Sequence, residues 1–401
     1  MPPTTTSTPV GPTADVGARA VAASPIESLF AAEPGVAGHP AVQVAARIST
    51  ELLAPHATAA DDPTRGVDPA HLAMLADHGL LSVRIPIDEG GHGADDRVDA
   101  EIVELLSSAC GATWFLTTQH RFPQALSRGP LPGLPDEAVE LGPAAARHRA
   151  GLASSTTLGG IAIAHLRRPG PRAPRADAAP GGGWRFTGTA DWCTGWGMLD
   201  VVMIAGLTSA DRFVLALLPA RDHAGLRAGS PLPLAVMGGT RTVTLEMDGL
   251  AVSADDVLAT IDFAAWRAHD TARVANTTPA SLGLLRRILT ELHHLGVRRE
   301  RPEAVDLALI LAERAAARRA EVYALLIDVP MRERVPERTA LRAEITELTV
   351  RAAHALIVAR SGSALLLSSP EQRWAREAAF HLIQTPTTDV RVAQLAALAG
   401  H

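Results

Sequence analysis

The sequence has 401 residues, 47% of them hydrophobic, which is enough to bury a large core divided among two or three domains. Its 37 basic residues, all of them Arg, and its 43 acidic residues give a formal net charge of -6, and mild acidity without a basic run argues against nucleic acid as the main partner. No apolar stretch reaches the roughly 18 residues of a membrane span, and the amino terminus lacks the basic-then-apolar order of a signal peptide, so we expect a cytoplasmic protein.

The amino-terminal part predicts a leader followed by a helical domain. Residues 1–38 are rich in Pro, Thr, Ala and Gly without periodicity, which predicts a disordered leader. From residue 39 to residue 148, apolar residues recur at helical spacing, as in "PAVQVAARISTELLAP", "DPAHLAMLADHGLL" and "DDRVDAEIVELLSSACGATWFLTTQH". We therefore predict an α-helical domain over 39–148.

The middle of the chain has a different pattern. Residues 149–262 contain short, partly alternating apolar segments separated by Gly, Pro and Asp, which is typical of antiparallel strands; they are "WRFTGTADW", "DVVMIAGL", "RFVLALLP" and "RTVTLEMDGLAV". Residues 263–401 return to helical spacing. Helices, then strands, then helices predict an α+β protein, and the sequence has neither a βαβ alternation nor a GxGxxG segment.

Five stretches in this order resemble the acyl-CoA dehydrogenase family. They are "LAMLADHGLLSVRIPIDEGGHGA", "SSACGATWFLTTQH", "GWRFTGTADWCTGWGMLDVVMIAG", "MGGTRTVTLEMDGLAVSADDVL" and "GSALLLSSPEQRWAREAAFHLIQTPTTDVR". The resemblance covers roughly residues 40–395. It implies an N-terminal helical domain, a central antiparallel β-domain and a C-terminal four-helix bundle. It also implies FAD between the β-domain and the bundle, often completed by a neighbouring subunit, with an acyl-CoA thioester against the flavin ring.

The segment "TADWCTGWG" carries two of the six tryptophans of a chain that is only 3% aromatic. By resemblance, Trp192 packs beside the flavin ring and Thr194 offers its hydroxyl to the ring edge. Residues two apart on a strand share a face, so Cys193 is expected to point the other way, and Gly195 leaves room for close backbone approach. The alternative is that Trp192 anchors the core and Thr194 is an ordinary strand residue.

The resemblance implies further cofactor contacts at less well matched positions. Ser155 and Thr156 stand where the family carries a segment that touches the pyrimidine edge of the flavin, although its Glu-Pro and Gly-Ser-Asp parts are missing here. Arg299 is the candidate for the pyrophosphate-binding Arg of the family's Arg-x-x-Phe-Gly segment, whose Phe-Gly is absent. The carboxy-terminal flavin segment adds Gly362, Thr385 and Thr387.

Two arginines before the last flavin segment have two interpretations. Arg373 and Arg376 stand at paired Arg positions of the family, and Arg is a natural partner for phosphate because of its bidentate donors. With Glu371 and Glu377 nearby, both also fit an ion-paired helix. The two cysteines and the histidines lack metal-binding spacing, so we expect no metal.

The expected catalytic base is missing. A dehydrogenase of this family uses a carboxylate to remove the α-proton of the thioester, and the usual Glu place is occupied by Thr385, a neutral hydroxyl. The other place known in the family is Ala272 here. Asp270 and His269 lie nearby, but Asp270 is two residues away and on another helical face.

Three function classes therefore remain open. The first is an FAD-dependent oxidoreductase that dehydrogenates an acyl-CoA or carrier-bound acyl thioester, with an unrecognised base. The second is a flavin-dependent monooxygenase or oxidase on the same fold, which needs no α-proton base. The third is a degenerate family member that acts as a subunit partner of an active relative. By analogy we expect a homodimer or homotetramer, or a hetero-oligomer in the third class.

Overall fold

The computed structural model describes residues 24–167 and 174–400. Helices form the amino-terminal region, where Ser24, Asp68 and Asp95 cap helices with their side chains. The helices are α1 (Pro25–Leu29), α2 (Pro34–Ala37), α3 (Pro40–Ile48), α4 (Ala54–Asp61), α5 (Pro69–Asp77), α6 (Asp96–Ala109), α7 (Gly111–Leu126) and α8 (Pro143–Ala153). None of the helices in the described ranges is both long and apolar enough to cross a bilayer.

One nine-stranded sheet forms the middle of the structure. Its path runs β1-β9-β6-β5-β3-β4-β8-β7, mostly antiparallel, with β2 joined in parallel to β5. The strands are β1 (Val139–Leu141), β2 (Gly159–Ala162), β3 (Arg175–Ala178), β4 (Trp184–Cys193), β5 (Val201–Leu207), β6 (Arg212–Pro219), β7 (Leu226–Ala228), β8 (Val243–Val252) and β9 (Val257–Asp262). The short β1 lies within the region that we predicted as helical, because it pairs with β9 over 100 residues later.

Long helices of the carboxy-terminal region complete the fold. They are α9 (Phe263–Ala275), α10 (Pro279–Arg298), α11 (Pro302–Tyr323), α12 (Val335–Arg360), α13 (Pro370–Ile383) and α14 (Thr388–Leu398). Helix α10 approaches α6 closely, because a Cβ added at Gly283 would lie 2.2 Å from the Glu104 carbonyl oxygen. The predicted α+β architecture is confirmed: one helical region precedes the mostly antiparallel sheet in the chain, and a second helical region follows it.

The predicted leader is wrong for its last part. Residues 24–38 form α1, α2 and their connections, and Ile26 and Phe30 are fully buried in the core of the bundle among leucines of α10. Ser24 Oγ also contacts His293 Nδ1 at 3.2 Å. Two apolar side chains four residues apart fix this segment, a signal too short to stand out against its Pro- and Ala-rich surroundings. Residues 1–23 lie outside the described ranges.

We expect Phe30→Ala to lower the free energy of unfolding by about 3–5 kcal/mol, because it leaves a cavity in the bundle core. Leu29→Ala is the matched control: its side chain is exposed, so its effect should stay within about 0.5 kcal/mol. Urea denaturation of both variants measures the difference. Equal effects would contradict the anchoring of this segment.

Candidate functional site

The end of β4 is irregular at the predicted flavin contact. The register with β8 shifts between Ala190 and Cys193, and Trp192 takes a left-handed backbone conformation with φ 63°. As a result the Trp192 side chain is 48% exposed, whereas Cys193 ends the strand inside the core, where burial raises the pKa of its thiol to about 12. Strand alternation therefore fails here: Thr194 lies in the following turn, 1% exposed, and does not share a face with Trp192.

The Thr194 hydroxyl belongs to a chain of buried threonines. Its Oγ1 lies 3.0 Å from Thr242 Oγ1, which lies 3.0 Å from Thr240 Oγ1. Thr240 donates its hydrogen to the Met237 carbonyl oxygen at 2.7 Å. Each hydroxyl has one hydrogen, so Thr242 donates to Thr240 and Thr194 donates to Thr242. Thr194 thus keeps acceptor lone pairs and has no hydrogen left to donate.

Gly195 is required by packing within the protein. Its φ is 90°, and a Cβ there would lie 2.9 Å from the Leu199 side chain and 3.1 Å from the Leu116 side chain of α7. The Gly195 N–H donates to the Thr240 carbonyl oxygen at 2.9 Å. The glycine lets α7 and the turn approach each other. The sequence prediction gives a different reason, which is close approach of the backbone to the flavin.

The second predicted flavin segment lies beside this turn. The Leu158 N–H donates to the Asp200 carboxylate at 2.7 Å, and the Asp200 N–H donates to the Leu158 carbonyl oxygen at 2.9 Å. Ser155 is turned inward, with φ 57° and a 2.7 Å hydrogen bond to Ser82. Thr156 is exposed and contacts only its own turn. Of the two candidates, Thr156 is the one open to a ligand.

Four apolar side chains, drawn from all three regions, pack against the core cluster that contains Leu116, the α7 side chain next to Gly195. They are partly buried and pack against one core cluster; we call them the junction surface: Phe115, Leu158, Met198 and Phe380. The rings of Phe115 in α7 and Phe380 in α13 meet edge to face with centroids 4.9 Å apart. A broad aromatic ring finds a complementary environment among such side chains.

Sequence reasoning missed His120, which lies under this region. It is buried, its Nδ1 accepts the Gly159 N–H at 3.0 Å, and its Nε2 contacts the Leu152 carbonyl oxygen at 3.0 Å. Burial lowers its pKa to about 4, so the ring is neutral with the hydrogen on Nε2. A single His in a helical run gives no sequence signal that would have identified it.

The turn between α13 and α14 holds the predicted carboxy-terminal contacts. Thr385 has φ 51° and is half-buried, and Thr387 caps α14 by accepting the Val390 N–H. The preceding Gln384 uses its carbonyl oxygen to accept a 2.5 Å hydrogen bond from Arg342. No carboxylate is present from residue 378 to residue 388, so the missing base is not replaced by a neighbour in this turn.

Asp270, the nearest alternative base, is fixed by two arginines. Its oxygens accept hydrogen bonds of 2.6 and 2.8 Å from Arg167 and of 2.9 Å from Arg273. Burial alone would raise the pKa of Asp270, but these guanidinium groups outweigh burial and lower the pKa below its ordinary value. A carboxylate stabilised in this way is a poor proton acceptor. His269 is also buried, and desolvation lowers its pKa.

The other buried carboxylates are paired in the same manner. Within the described ranges each of them forms a salt bridge with an Arg side chain; they are Asp61, Glu101, Glu104, Glu347 and Glu377. Burial raises the pKa of Glu377, but Arg373 lies 2.7 Å away. Glu377 is also enclosed, because a Cβ at Gly111 would lie 2.8 Å from its carboxyl carbon. Only 2% of Glu377 is exposed, and its Oε2 has no hydrogen-bond partner among the described residues.

A cleft of about 340 Å³ at the start of α13 is lined by four arginines, which we call the arginine cleft: Arg287, Arg298, Arg360 and Arg373, together with Trp374. Two buried nitrogens in its wall, Arg373 Nε and Trp374 Nε1, lack a hydrogen-bond partner among the described residues, whereas Arg360 Nε lies 3.3 Å from Glu371 Oε1. Glu291 and Glu371 pair with some of these arginines. Such a donor set fits an anion with several oxygens.

The arginine cleft differs from the predicted phosphate contacts. Arg299 is exposed at the end of α10 and does not line the cleft, whereas its neighbour Arg298 does. Gly362 is exposed, with nothing within 4 Å of an added Cβ. Arg376 lies elsewhere: it donates to the Ala235 carbonyl oxygen at 2.6 Å and pairs with Asp61. The residues of the described ranges contain no group of three or more potential metal ligands.

No protein-family model and no curated protein sequence matches the chain, but solved structures do. Dibenzothiophene monooxygenase TdsC from Paenibacillus sp. A11-2 matches with a TM-score of 0.71 and 18% identity, over 90% of this chain and 98% of that one. Butyryl-CoA dehydrogenase from Megasphaera elsdenii matches with 0.70 and 15%, over 92% and 98%. Nitrososynthase from Micromonospora carbonacea var. africana matches with 0.67 and 16%, over 93% and 98%. The acyl-CoA dehydrogenase fold predicted from the sequence is confirmed.

We expect His120→Asn to reduce the loss of unfolding free energy that occurs as the pH falls. The folded-state pKa of about 4 lies below the ordinary value of about 6.5, so the unfolded chain binds a proton first as the pH falls. The wild-type protein should lose up to about 1.4 kcal/mol per pH unit from this group between pH 6.5 and 4, and nothing more from it below that.

Asn keeps one donor and one acceptor for Leu152 and Gly159, so both hydrogen bonds can be retained. The informative quantity is therefore the slope of the unfolding free energy against pH. Denaturation at a series of pH values measures it. His78→Asn, a change at an exposed ring, is the control and should leave the slope unaltered. A variant profile that parallels the wild type would show that His120 is not held neutral.

Proposed function

We propose that this chain is a flavin-dependent oxidoreductase with FAD as its cofactor. The resemblance of its sequence segments and its fold support this, since a solved structure of the same fold carries FMN and another is butyryl-CoA dehydrogenase. The exposed indole of Trp192 and the aromatic side chains of the junction surface are suitable partners for a flat tricyclic ring. Thr194, covered in this structure, has to become exposed before it can contact the ring edge.

We propose the arginine cleft as the site for the diphosphate of FAD. Its unpartnered guanidinium and indole nitrogens supply donors that a diphosphate would satisfy. Helix α13 separates the cleft from the junction surface by about 14 Å along its axis, taking 1.5 Å per residue from residue 371 to residue 380. Its middle is packed through Arg376 and Glu377 against other parts of the chain. One FAD molecule would therefore place its ring against the junction surface of one copy of the chain and its diphosphate in the arginine cleft of another copy.

Exposed apolar side chains support a homodimer or higher homo-oligomer. Several adjoin the cleft residues in sequence and are unusually exposed for their type: Val297, Val358, Leu365, Leu366 and Leu367. Contiguous apolar surface of this kind marks protein interfaces. A second copy of the chain that packs on these side chains would cover them. It would also bring its own junction surface to the arginine cleft.

The pairing of all buried carboxylates with Arg carries our proposal for the reaction class. A bound flavin would supply redox chemistry, either accepting a hydride or, once reduced, passing two electrons to oxygen. Dehydrogenation of an acyl thioester also needs an uncommitted base near the substrate. Beside the junction surface lie buried hydroxyls, the neutral His120 and the exposed Asp200 carboxylate, which accepts the Leu158 N–H. We therefore favour a monooxygenase or oxidase reaction on an apolar substrate, for which the chain needs to bind, orient and exclude water but not to remove an α-proton.

Two other functions are alternative outcomes of the flavin-binding experiment described below. Dehydrogenation of an acyl-CoA or carrier-bound acyl thioester would require Asp270 to leave its two arginines. A degenerate subunit would lack flavin unless an active relative completed its site. In each reading the acyl-CoA dehydrogenase fold is retained.

The decisive experiment is the visible spectrum of the full-length protein after incubation with FAD and gel filtration. We expect retained flavin that acyl-CoAs of increasing chain length do not bleach under argon, that an external reductase reduces, and that air then reoxidises with oxygen uptake. Bleaching by an acyl-CoA would replace the oxygen-using reaction by dehydrogenation. Absence of retained FAD in every oligomeric form would overturn the flavoprotein proposal and favour the subunit reading.

Trp192→Ala should weaken FAD binding by about tenfold, because the ring loses an aromatic partner. The indole is half exposed, so the variant should fold. Trp184→Ala, at the opposite end of β4, is the matched control and should leave FAD affinity unchanged. Quenching of flavin fluorescence on titration gives both dissociation constants. Identical constants for the two variants would remove Trp192 from the site.

A further inference from the structure

A second polar cleft, of about 300 Å³, lies between the amino-terminal helices and the β-domain. We call it the Arg241 cleft; its polar side chains are His56, Arg65, Asp68, His71 and Arg241. None of these residues belongs to the junction surface or to the arginine cleft. The mechanism proposed above leaves all of them unused.

The His71 imidazole forms part of the inner wall of the cleft. The side chain is only 5% exposed, it lines the cleft, and it forms no hydrogen bond with any residue in the described ranges. Neither ring nitrogen is fully enclosed, so a ligand in the cleft can reach them. The His56 ring stands against it edge to face, with centroids 5.2 Å apart, and His56 Nδ1 is occupied by the Leu52 carbonyl oxygen at 2.7 Å.

Two guanidinium groups supply positive charge at the rim. Arg65 and Arg241 are exposed, and neither side chain forms a salt bridge or hydrogen bond with a described residue. The facing acid is Asp68, whose Oδ1 accepts the Ala70 N–H at 2.9 Å and so caps α5. Asp62, which carries hydrogen bonds to Thr64, lies close enough to Arg65 to feel its charge. Two guanidinium groups and the His71 imidazole therefore face the capping carboxylate of Asp68, and the Asp62 carboxylate lies near Arg65.

Arg241 is also held in place by its backbone. Its φ is 49°, a left-handed conformation that costs free energy for a residue other than Gly. Its carbonyl oxygen accepts the Trp196 N–H at 3.3 Å, and a Cβ at Gly197 would lie 3.6 Å from its Nη1. The side chain therefore lies over the turn that carries Thr194, and a ligand on Arg241 would touch both this turn and the amino-terminal helices.

We infer that the Arg241 cleft is a binding site for a phosphate group, either free phosphate or the phosphate of a small ester. Guanidinium groups bind phosphate oxygens through paired donors, and the His71 imidazole gains the partner that it lacks. The two arginines attract an anion more strongly than the Asp68 carboxylate repels it. This net attraction is larger for a dianion than for a singly charged ligand. The volume of about 300 Å³ leaves room for the body of an ester beside its phosphate.

Calorimetric titration of the full-length protein with inorganic phosphate, at ionic strength held constant with chloride, tests the site. Binding should be saturable, and Arg241→Gln should weaken it by about tenfold or more. Arg227→Gln, a change at an exposed arginine on β7 outside the cleft, should leave it unchanged. Both substitutions remove an exposed side chain, so both proteins should fold.

Histidine-selective NMR gives an independent readout. Burial lowers the pKa of His71, and a bound phosphate should raise it again by favouring the imidazolium. No saturable binding, equal binding by the Arg241 and Arg227 variants, or a His71 resonance insensitive to phosphate would each overturn the inference. Methyl phosphate and adenosine 5′-phosphate separate the two sources: binding tighter than that of inorganic phosphate identifies an ester as the ligand, and equal or weaker binding identifies free phosphate.

Discussion

The Asp61 carboxylate is the interaction on which the arrangement of the three regions depends. It ends α4, accepts the Met237 N–H of the β-domain at 2.5 Å and pairs with Arg376 of α13 at 2.7 Å. Arg376 in turn donates to the Ala235 carbonyl oxygen. The acid is buried, so removing one partner would leave an uncompensated charge, which costs several kcal/mol. Phe380 of the junction surface lies on α13, one helical turn after Arg376.

The exclusive use of Arg for positive charge shapes the chemistry of the interior. A guanidinium group is planar, remains charged when buried and can contact both oxygens of a carboxylate. Arg167 does this to Asp270, and Arg319 bridges Glu101 and Glu104. Acids fixed in this way stabilise the packing of helices, but they are withdrawn from proton transfer.

The architecture was predictable because long periodic segments and five ordered resemblances agree with one another. The local geometry of the site was not. Strand alternation placed Trp192 and Thr194 on one face, and a register shift together with a left-handed residue separates them. The resemblance indicates Arg299, and the neighbouring Arg298 lines the arginine cleft, because sequence spacing does not resolve one position at a helix end. His120, His71 and the anchor at Phe30 become visible only through contacts between segments distant in the chain.

The docking of α1 has a consequence for biosynthesis. Ser24 contacts His293, and Phe30 packs among leucines of α10, so α1 leaves the ribosome about 260 residues before its binding site does. At bacterial or eukaryotic elongation rates this corresponds to roughly tens of seconds. During that interval the anchor side chains have no native partner, and the bundle core cannot close. Helix α1 can therefore dock only after α10 has been synthesised, and the nascent protein has to keep an apolar segment out of wrong contacts until then.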